Sequence, residues 1–186
     1  MTSIILIAGL GNPGAKYKNN RHNAGFMALD ALASHFGVNF SSTKGEAQTA
    51  RIQKEASSEN GTRNEILLMK PQAFMNLSGK PIAQAVKLYN IPPAKILILH
   101  DEIELPFSDV RLKIGGGHKG HNGLRDIISR CGFADFHRLR IGVGRPEHDD
   151  VAGYVLSDFT PNEKDELPAV MDACVKQCLN FIAKCV

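Results

Sequence analysis

Ile4-Ile5-Leu6-Ile7-Ala8-Gly9-Leu10-Gly11-Asn12-Pro13-Gly14 opens the chain with an apolar run that ends abruptly in a glycine turn. Ile4 to Ala8 carries no polar residue and is rich in β-branched side chains, the pattern of a strand buried on both faces. Gly-x-Gly-Asn-Pro-Gly cannot continue either a strand or a helix. In open α/β sheets, sites form just beyond the carboxyl ends of the strands, so Asn12 stands at such an edge. His22 joins it if the polar segment Lys16–Arg21 loops back. The spacing Gly9-x-Gly11-x-x-Gly14 also spells a dinucleotide fingerprint, which needs its third glycine to open a helix and an acid at a strand end about 20 residues on. Here Pro13 stiffens the turn, the next helical pattern starts only near Asn23, and the acid at the right distance, Asp30, lies inside that pattern. A dinucleotide site is therefore a poor reading.

Working outward, Asn23 can cap a helix whose apolar residues Phe26, Leu29, Leu32 and Phe36 recur at helical spacing before Gly37 stops it. Gln48–Gln53 and Asn64–Met69 read as strands joined through a turn at Glu59-Asn60-Gly61. After Lys70-Pro71, Ser78 can cap a second helix with Pro81 in its first turn and Ile82, Ala85, Val86 and Tyr89 on its buried face. Ile96–Leu99 is a second pure apolar run, a central strand that delivers His100-Asp101-Glu102 to its carboxyl end. Asp109–Ile114 is strand-like, and Gly115–Gly123 is a glycine-rich loop. Asn122 can cap the helix that carries Leu124, Ile127, Ile128 and Cys131. Phe136–Val143 alternates Arg138 and Arg140 against Leu139, Ile141 and Val143, a strand with one basic and one apolar face. Thr160-Pro161-Asn162-Glu163 is a capping box, and Pro168 should kink or restart the helix it opens. Strands alternate with helices, so the class is α/β. The hairpin at Gln48–Met69 makes the sheet mixed.

The chain has 186 residues, enough for one sizeable core and a single domain over residues 1–186. No run approaches the ~20 apolar residues of a membrane helix, and no signal peptide is recognisable, which points to the cytoplasm. Cys131, Cys174, Cys178 and Cys185 form no Cys-x-x-Cys pair and read as free thiols. The net charge is only +3, but it is unevenly placed. Between Arg111 and Arg145 lie eight bases and two acids, whereas acids outnumber bases from Glu147 onward. Such a zone suits a polyanion, although a solvated surface would look the same.

The polar residues at predicted strand ends and loops are Asn12, His22, Asn76, Asp101, His121 and Asn122. No serine or cysteine sits in a nucleophile elbow. His118-x-x-His121 lies among glycines with no acid nearby in sequence, which makes a poor metal site. What remains is a histidine, a carboxylate able to orient it, and several carboxamides. That set suits hydrolysis by activated water: imidazole takes the proton, the carboxylate fixes its tautomer, and amide N–H groups stabilise an oxyanion. Each asparagine also stands where asparagine often serves only as a cap.

Gly9–Gly14 with Arg21-His22-Asn23-Ala24-Gly25 resembles the start of the bacterial-type peptidyl-tRNA hydrolases. Phe74–Gly79, His100-Asp101-Glu102, Gly115–Leu124 and Phe136–Gly142 extend the resemblance in family order from Ile4 to about Phe159. The resemblance implies cleavage of the ester between a peptide and the 3′ ribose of tRNA, which recycles tRNA after premature release from the ribosome. It implies a single α/β globule with a mixed twisted sheet, helices on both faces, no metal or other cofactor, and a monomer. By the same resemblance His22 is the general base and Asp101 its partner, with Asn12 beside them. Tyr17, Met75, Asn76, His121 and Asn122 would line the substrate cleft. Lys113 and Arg140 would clamp the tRNA 5′ phosphate. Family members often carry a longer, more basic tail than the segment ending in Lys184 here. Two other readings stand beside this one. An RNA-binding protein on the same fold would lose the catalytic set and keep the basic zone. A hydrolase of small nucleotides would not need so broad a zone.

Overall fold

A computed structural model describes residues 2–43, 46–54, 63–147 and 149–186. The elements run β1 (Thr2–Gly9), α1 (Ala24–His35), β2 (Ser41–Thr43), β3 (Ala47–Lys54), β4 (Arg63–Pro71), α2 (Gly79–Tyr89), β5 (Ile96–Glu102), β6 (Val110–Ile114), α3 (Asn122–Cys131), β7 (His137–Gly142), α4 (Val151–Val155) and α5 (Pro161–Cys185). The seven strands make one sheet in the order β2-β3-β4-β1-β5-β7-β6. β1 pairs in parallel with β4 and β5, and β5 with β7, while β2–β3, β3–β4 and β6–β7 are antiparallel. The mixed α/β sheet expected from the sequence is the one found. The predicted turn at Glu59-Asn60-Gly61 lies outside the described residues, but the register Lys54↔Asn64 bears out the antiparallel pairing around it.

The two uninterrupted apolar runs became the two strands with covered faces. Ile5, Ile7, Leu97, Leu99, Leu139 and Ile141 point to a layer made with Leu29 and Leu32 of α1 and Cys174, Cys178 and Phe181 of α5. Leu6, Ala8, Ile96 and Ile98 point the other way, onto Ile82 of α2 and Leu124 and Ile127 of α3. Side chains alternate across a strand, so a strand sandwiched this way has no position for a polar residue until it leaves the core. Each fully buried Leu or Ile contributes about 1.5–3 kcal/mol. Cys174 and Cys178 are buried in α5; Cys131 and Cys185 are partly buried, and all four are free thiols.

Three helix starts differ from expectation: in none does the expected side chain cap the helix. Asn23 stands at the N-cap of α1 but makes no capping bond; its side chain is engaged by Asn12 instead. Ser78 precedes α2 in helical conformation, and its hydroxyl donates to Met75 O, while Asp126 of α3 accepts from Gly79 N at 2.8 Å. α3 is capped by His121, whose ring accepts from Leu124 N, so Asn122 is the first helical residue and not the cap. The capping box at Thr160–Glu163 is present as read, and α5 runs unbroken through Pro168. β2 and α4 are elements the sequence pattern did not reveal.

Candidate active site

Alternation along β5 sorts the residues at its carboxyl end. Asp101 follows Leu99 and Leu97 toward the α1 side, whereas His100 and Glu102 follow Ile98 toward the α3 side. The β1 turn arrives beside it: Leu10 N donates to Leu99 O at 2.9 Å, and Phe26 N donates to Leu10 O at 3.1 Å. Gly25 permits this approach, since a Cβ there would lie 2.3 Å from Leu99 O. The start of α1 is thereby pressed onto the ends of β1 and β5, and the short 3-10 turn Arg21–Asn23 overhangs Asp101.

His22 Nδ1 lies 2.9 and 3.0 Å from the two Asp101 oxygens. His121 Nε2 lies 2.9 Å from Oδ1 of the same carboxylate. Because His121 Nδ1 accepts from Leu124 N, its proton is on Nε2 and faces Asp101. Burial alone would raise the Asp101 carboxyl, but the two imidazoles outweigh it and hold it well below the usual carboxylate range. Burial disfavours charge on His22 too, yet the Asp101 carboxylate wins and raises its pKa above the ordinary value. The neutral tautomer therefore keeps its proton on Nδ1, against Asp101, and presents the Nε2 lone pair.

His100 behaves in the opposite way. It is buried and its Nδ1 lies 2.7 Å from Asp101 O, while Nε2 has no partner. Desolvation, reinforced by neighbouring His121, pushes it down to about 3. It stays neutral, with its ring edge-on to His121 at 5.1 Å between centroids.

Asn12 is held from three sides. Asn23 Oδ1 accepts from Asn12 N at 2.9 Å, and Asn23 Nδ2 donates to Asn12 O at 3.0 Å. Met75 N donates to Asn12 Oδ1 at 2.7 Å. That last bond fixes the amide, so Nδ2 is the end left to meet a ligand. Met75 is buried against the start of α3; a Cβ on Gly123 would lie 2.6 Å from its sulfur. Asn76 is exposed in the Met75–Leu77 turn, and Tyr17 meets the exposed Phe74 ring edge-on at 6.4 Å.

A cavity of about 480 Å³ opens beside this cluster, lined by His22, Asp101, His121, Asn122, Lys113 and Arg140, among others. Of the sequence-predicted residues, Asn12 lines a separate cleft of about 610 Å³, and Tyr17, Met75 and Asn76 line neither. The basic face of β7 is only half what alternation suggested. Arg140 donates Nε to Glu102 at 2.9 Å and keeps its outer nitrogens toward the cavity edge. Arg138 is buried, stacks 4.8 Å over Phe136, and donates to the carbonyls of Gly116 and Gly117, so it braces the glycine loop. Lys113 is exposed and makes no ion pair among the described residues.

Sequence reasoning missed four participants: Asn23, His100, Glu102 and Arg138. Asn23 and His100 each sit beside a predicted site residue in a quoted motif, which was the available signal. The partners of Glu102 and Arg138 lie 38 and 21 residues away in sequence. Distance in sequence also hid the acid beside His121, which β5 supplies. Among the described residues, His22, Asp101 and His121 form one group whose ligand-type atoms lie within 4.8 Å of one another. Their contacts of 2.9–3.0 Å are direct hydrogen bonds that already engage each carboxylate partner.

Comparison with known proteins points one way. A family model described as peptidyl-tRNA hydrolase matches residues 6–185. A protein named peptidyl-tRNA hydrolase from Geotalea daltonii is 43% identical over 178 residues, covering 93% of this chain and 87% of its own length. One of the same name from Mycobacterium tuberculosis is 42% identical over 173 residues, covering 92% and 87%. The crystal structure of peptidyl-tRNA hydrolase from Acinetobacter baumannii superposes with a TM-score of 0.84 at 38% identity, over 97% of this chain and 89% of that one.

Proposed function

The chain belongs to the peptidyl-tRNA hydrolase family, and from that premise we propose that His22 is the general base of its reaction. The enzyme hydrolyses the ester of peptidyl-tRNA. The observation that carries the mechanism is the Nδ1 contact to Asp101, which leaves His22 Nε2 as a lone-pair acceptor beside the cavity. A water held by Nε2 attacks the ester carbonyl carbon as its proton passes to the imidazole. Asp101 stabilises the imidazolium and holds the ring in place. Asn12 Nδ2, free because Oδ1 accepts from Met75 N, donates to the developing oxyanion. The tetrahedral intermediate collapses by releasing the 3′ ribose oxygen, which takes the proton back from Nε2. The peptide's new carboxylic acid releases its proton to solvent and departs as a carboxylate, and tRNA departs with a free 3′ hydroxyl.

The remaining assignments come from the resemblance, and position supports those of His121, Asn122, Lys113 and Arg140, which line the cavity with His22. Met75, Asn76, Asn122 and Tyr17 flank the ester and the last peptide units, and His121 helps hold Asp101. Lys113 and Arg140 receive the 5′ phosphate at the acceptor stem: among the described residues, Lys113 makes no ion pair, and Arg140 bonds Glu102 through Nε alone, which leaves its outer nitrogens for a bidentate contact. One domain over residues 1–186 suffices, working as a monomer in the cytoplasm. In support, all seven strands share one sheet and no described helix is long and apolar enough to cross a membrane.

His22→Ala tests the reading. Turnover of peptidyl-tRNA should fall by about 10²–10⁴ with tRNA binding nearly intact, because the base acts in the transition state. Activity within tenfold of the parent, about 1.4 kcal/mol, would leave no room for a general base at this position. A protein that only binds RNA would show no turnover at the outset.

A further inference from the structure

Four consecutive side chains, Asn20 to Asn23, reach three different parts of the molecule. His22 takes Asp101 of β5, and Asn23 takes the backbone of Asn12. Asn20 Nδ2 donates to Asp158 Oδ1 at 2.7 Å. Arg21 has the most contacts. Its Nη1 donates to Ser157 Oγ at 2.9 Å and to Asp158 O, and its Nη2 donates to Glu163 at 2.6 Å. Its guanidinium lies 4.4 Å from the Tyr154 ring centre and 5.3 Å from that of Phe159. The backbone joins in, with Arg21 N donating to Ser157 O and Phe159 N to Asn19 O. Only 4% of Arg21 is exposed.

This matters because the Arg21–Asn23 turn is three residues long and has no side-chain cap of its own. A single 3-10 turn is too short to fix its own orientation. Its direction is set from outside. One side is the Asn12 and Asp101 contacts; the other is the α4–α5 junction, gripped by a planar fork that matches several acceptors at once. Val151, Ala152 and Val155 of α4, just before that junction, line the same cavity as His22. The wall of the cavity and the backbone of the base are therefore joined through a set of bonds in which the Arg21 guanidinium makes the most side-chain contacts.

We infer that Arg21 is a positioning residue for the hydrolysis: it locks the turn that carries His22 onto the Ser157–Glu163 segment, and so holds the imidazole in register with Asp101. The inference rests on His22 being the base. Loosening the lock displaces a reacting group without removing it, and a displacement of about 1 Å costs on the order of 10²-fold in rate. Substrate contacts along the basic zone are untouched, so KM should move little.

The test is Arg21→Gln and Arg21→Lys on the full chain, with steady-state hydrolysis of peptidyl-tRNA across pH. Arg21→Gln should lower kcat by about 10- to 100-fold with KM within twofold, about 0.4 kcal/mol. Arg21→Lys keeps the charge and the Glu163 partner but not the fork, and should fall between. The acid limb decides the cause. The groups facing His22 are Asp101 from β5 and His121 from the start of α3. If its grip on Asp101 loosens, the limb moves to lower pH. If Arg21 mattered only as a nearby positive charge, its loss would move the limb to higher pH and overturn the inference. So would unchanged kcat and limb in a variant that merely melts earlier. Should Arg21→Gln fail to fold, Ser157→Ala removes one acceptor of the fork and should shift kcat and limb in the same directions by a smaller factor; no shift there overturns the inference. His22→Ala is run alongside. An inactive His22→Ala with an unaffected Arg21→Gln sinks this inference alone, whereas an active His22→Ala sinks the reading beneath it.

Discussion

The carboxyl end of β5 and the antiparallel β6–β7 pair face the same cavity and treat charge in opposite ways. At β5, Asp101 is buried and shares its two oxygens between two imidazoles, so its charge is satisfied within the protein. On the β6–β7 pair, the register sets Arg111 opposite Arg140 and Lys113 opposite Arg138. Directly opposed like charges are destabilising by a few tenths of a kcal/mol or more. Only part of that repulsion is relieved, by Asp109 on Arg111 and Glu102 on Arg140. Chemistry needs one fixed geometry, which a satisfied cluster provides. Gathering a polyanion needs a field, and a field requires charge that the protein has not already neutralised.

Asp101→Asn strikes at the satisfied cluster and should have the largest effect. The rate should fall by about 10- to 100-fold, less than on loss of His22, because an imidazole without its carboxylate still accepts a proton. The sign of the pH change is fixed. Burial lowers the His22 pKa and Asp101 raises it, so removing Asp101 leaves burial unopposed and moves the acid limb of the rate profile to lower pH. A limb that stays in place would mean that Asp101 does not set the charge of His22.

Arg138 sharpens the comparison from the other side, since it belongs to the β6–β7 pair by position and to the buried set by its contacts. Arg138→Met should destabilise the fold by about 2 kcal/mol, the range for hydrogen bonds to a charged group, with little change in salt dependence. Urea unfolding beside a salt titration of binding reads both. A full-sized change in salt slope would return Arg138 to the phosphate-facing set.

His100 tests how dry the cluster is. Its folded pKa, about 3, lies below the ordinary 6.5, so the unfolded chain takes up the proton first as pH falls. Its contribution is intact above about pH 6.5 and declines toward pH 3 by at most about 1.4 kcal/mol per pH unit. His100→Asn, which retains a donor for Asp101 O, should flatten that decline in urea unfolding between pH 7 and pH 5. Equal slopes for parent and variant would show that water reaches His100.

Lys113→Ala should give the smallest effect. Losing one phosphate contact removes roughly 0.9 from the slope of log affinity against log salt on duplex nucleic acid. Arg140→Ala should remove as much and also leave Glu102 without its partner. Unchanged slopes would take both residues out of the phosphate clamp and end the contrast with β5.

What was legible in the sequence follows the same division. The strands with both faces covered, Ile4–Ala8 and Ile96–Leu99, were legible because short, unbroken apolar runs rich in Ile and bounded by turn residues read as central strands. Asp101 could be placed at a strand end for the same reason, whereas His22 joined it only on the condition that Lys16–Arg21 loops back. The caps were misread at Asn23, Ser78 and Asn122 because residue type at a helix start does not show which neighbour takes the bond. Asn12 engages the Asn23 side chain, Asp126 reaches Gly79 from another helix, and the His121 ring bonds Leu124 N. β2 has three residues and α4 five, too few to show a period. Arg138 looked like surface because alternation assigns a face but does not reveal what covers it.

The four thiols make the chain its own reporter. Burial pushes Cys174 up to about 12, and Cys178 further still, so neither is a nucleophile while α5 lies on its layer of the core. Cys131 and Cys185 are partly exposed and can be blocked first under native conditions. A second alkylating reagent then reaches Cys174 and Cys178 only when the helix that anchors Glu163 lifts away. Its rate of uptake counts those openings one molecule at a time, with no label added to the cleft and no residue changed.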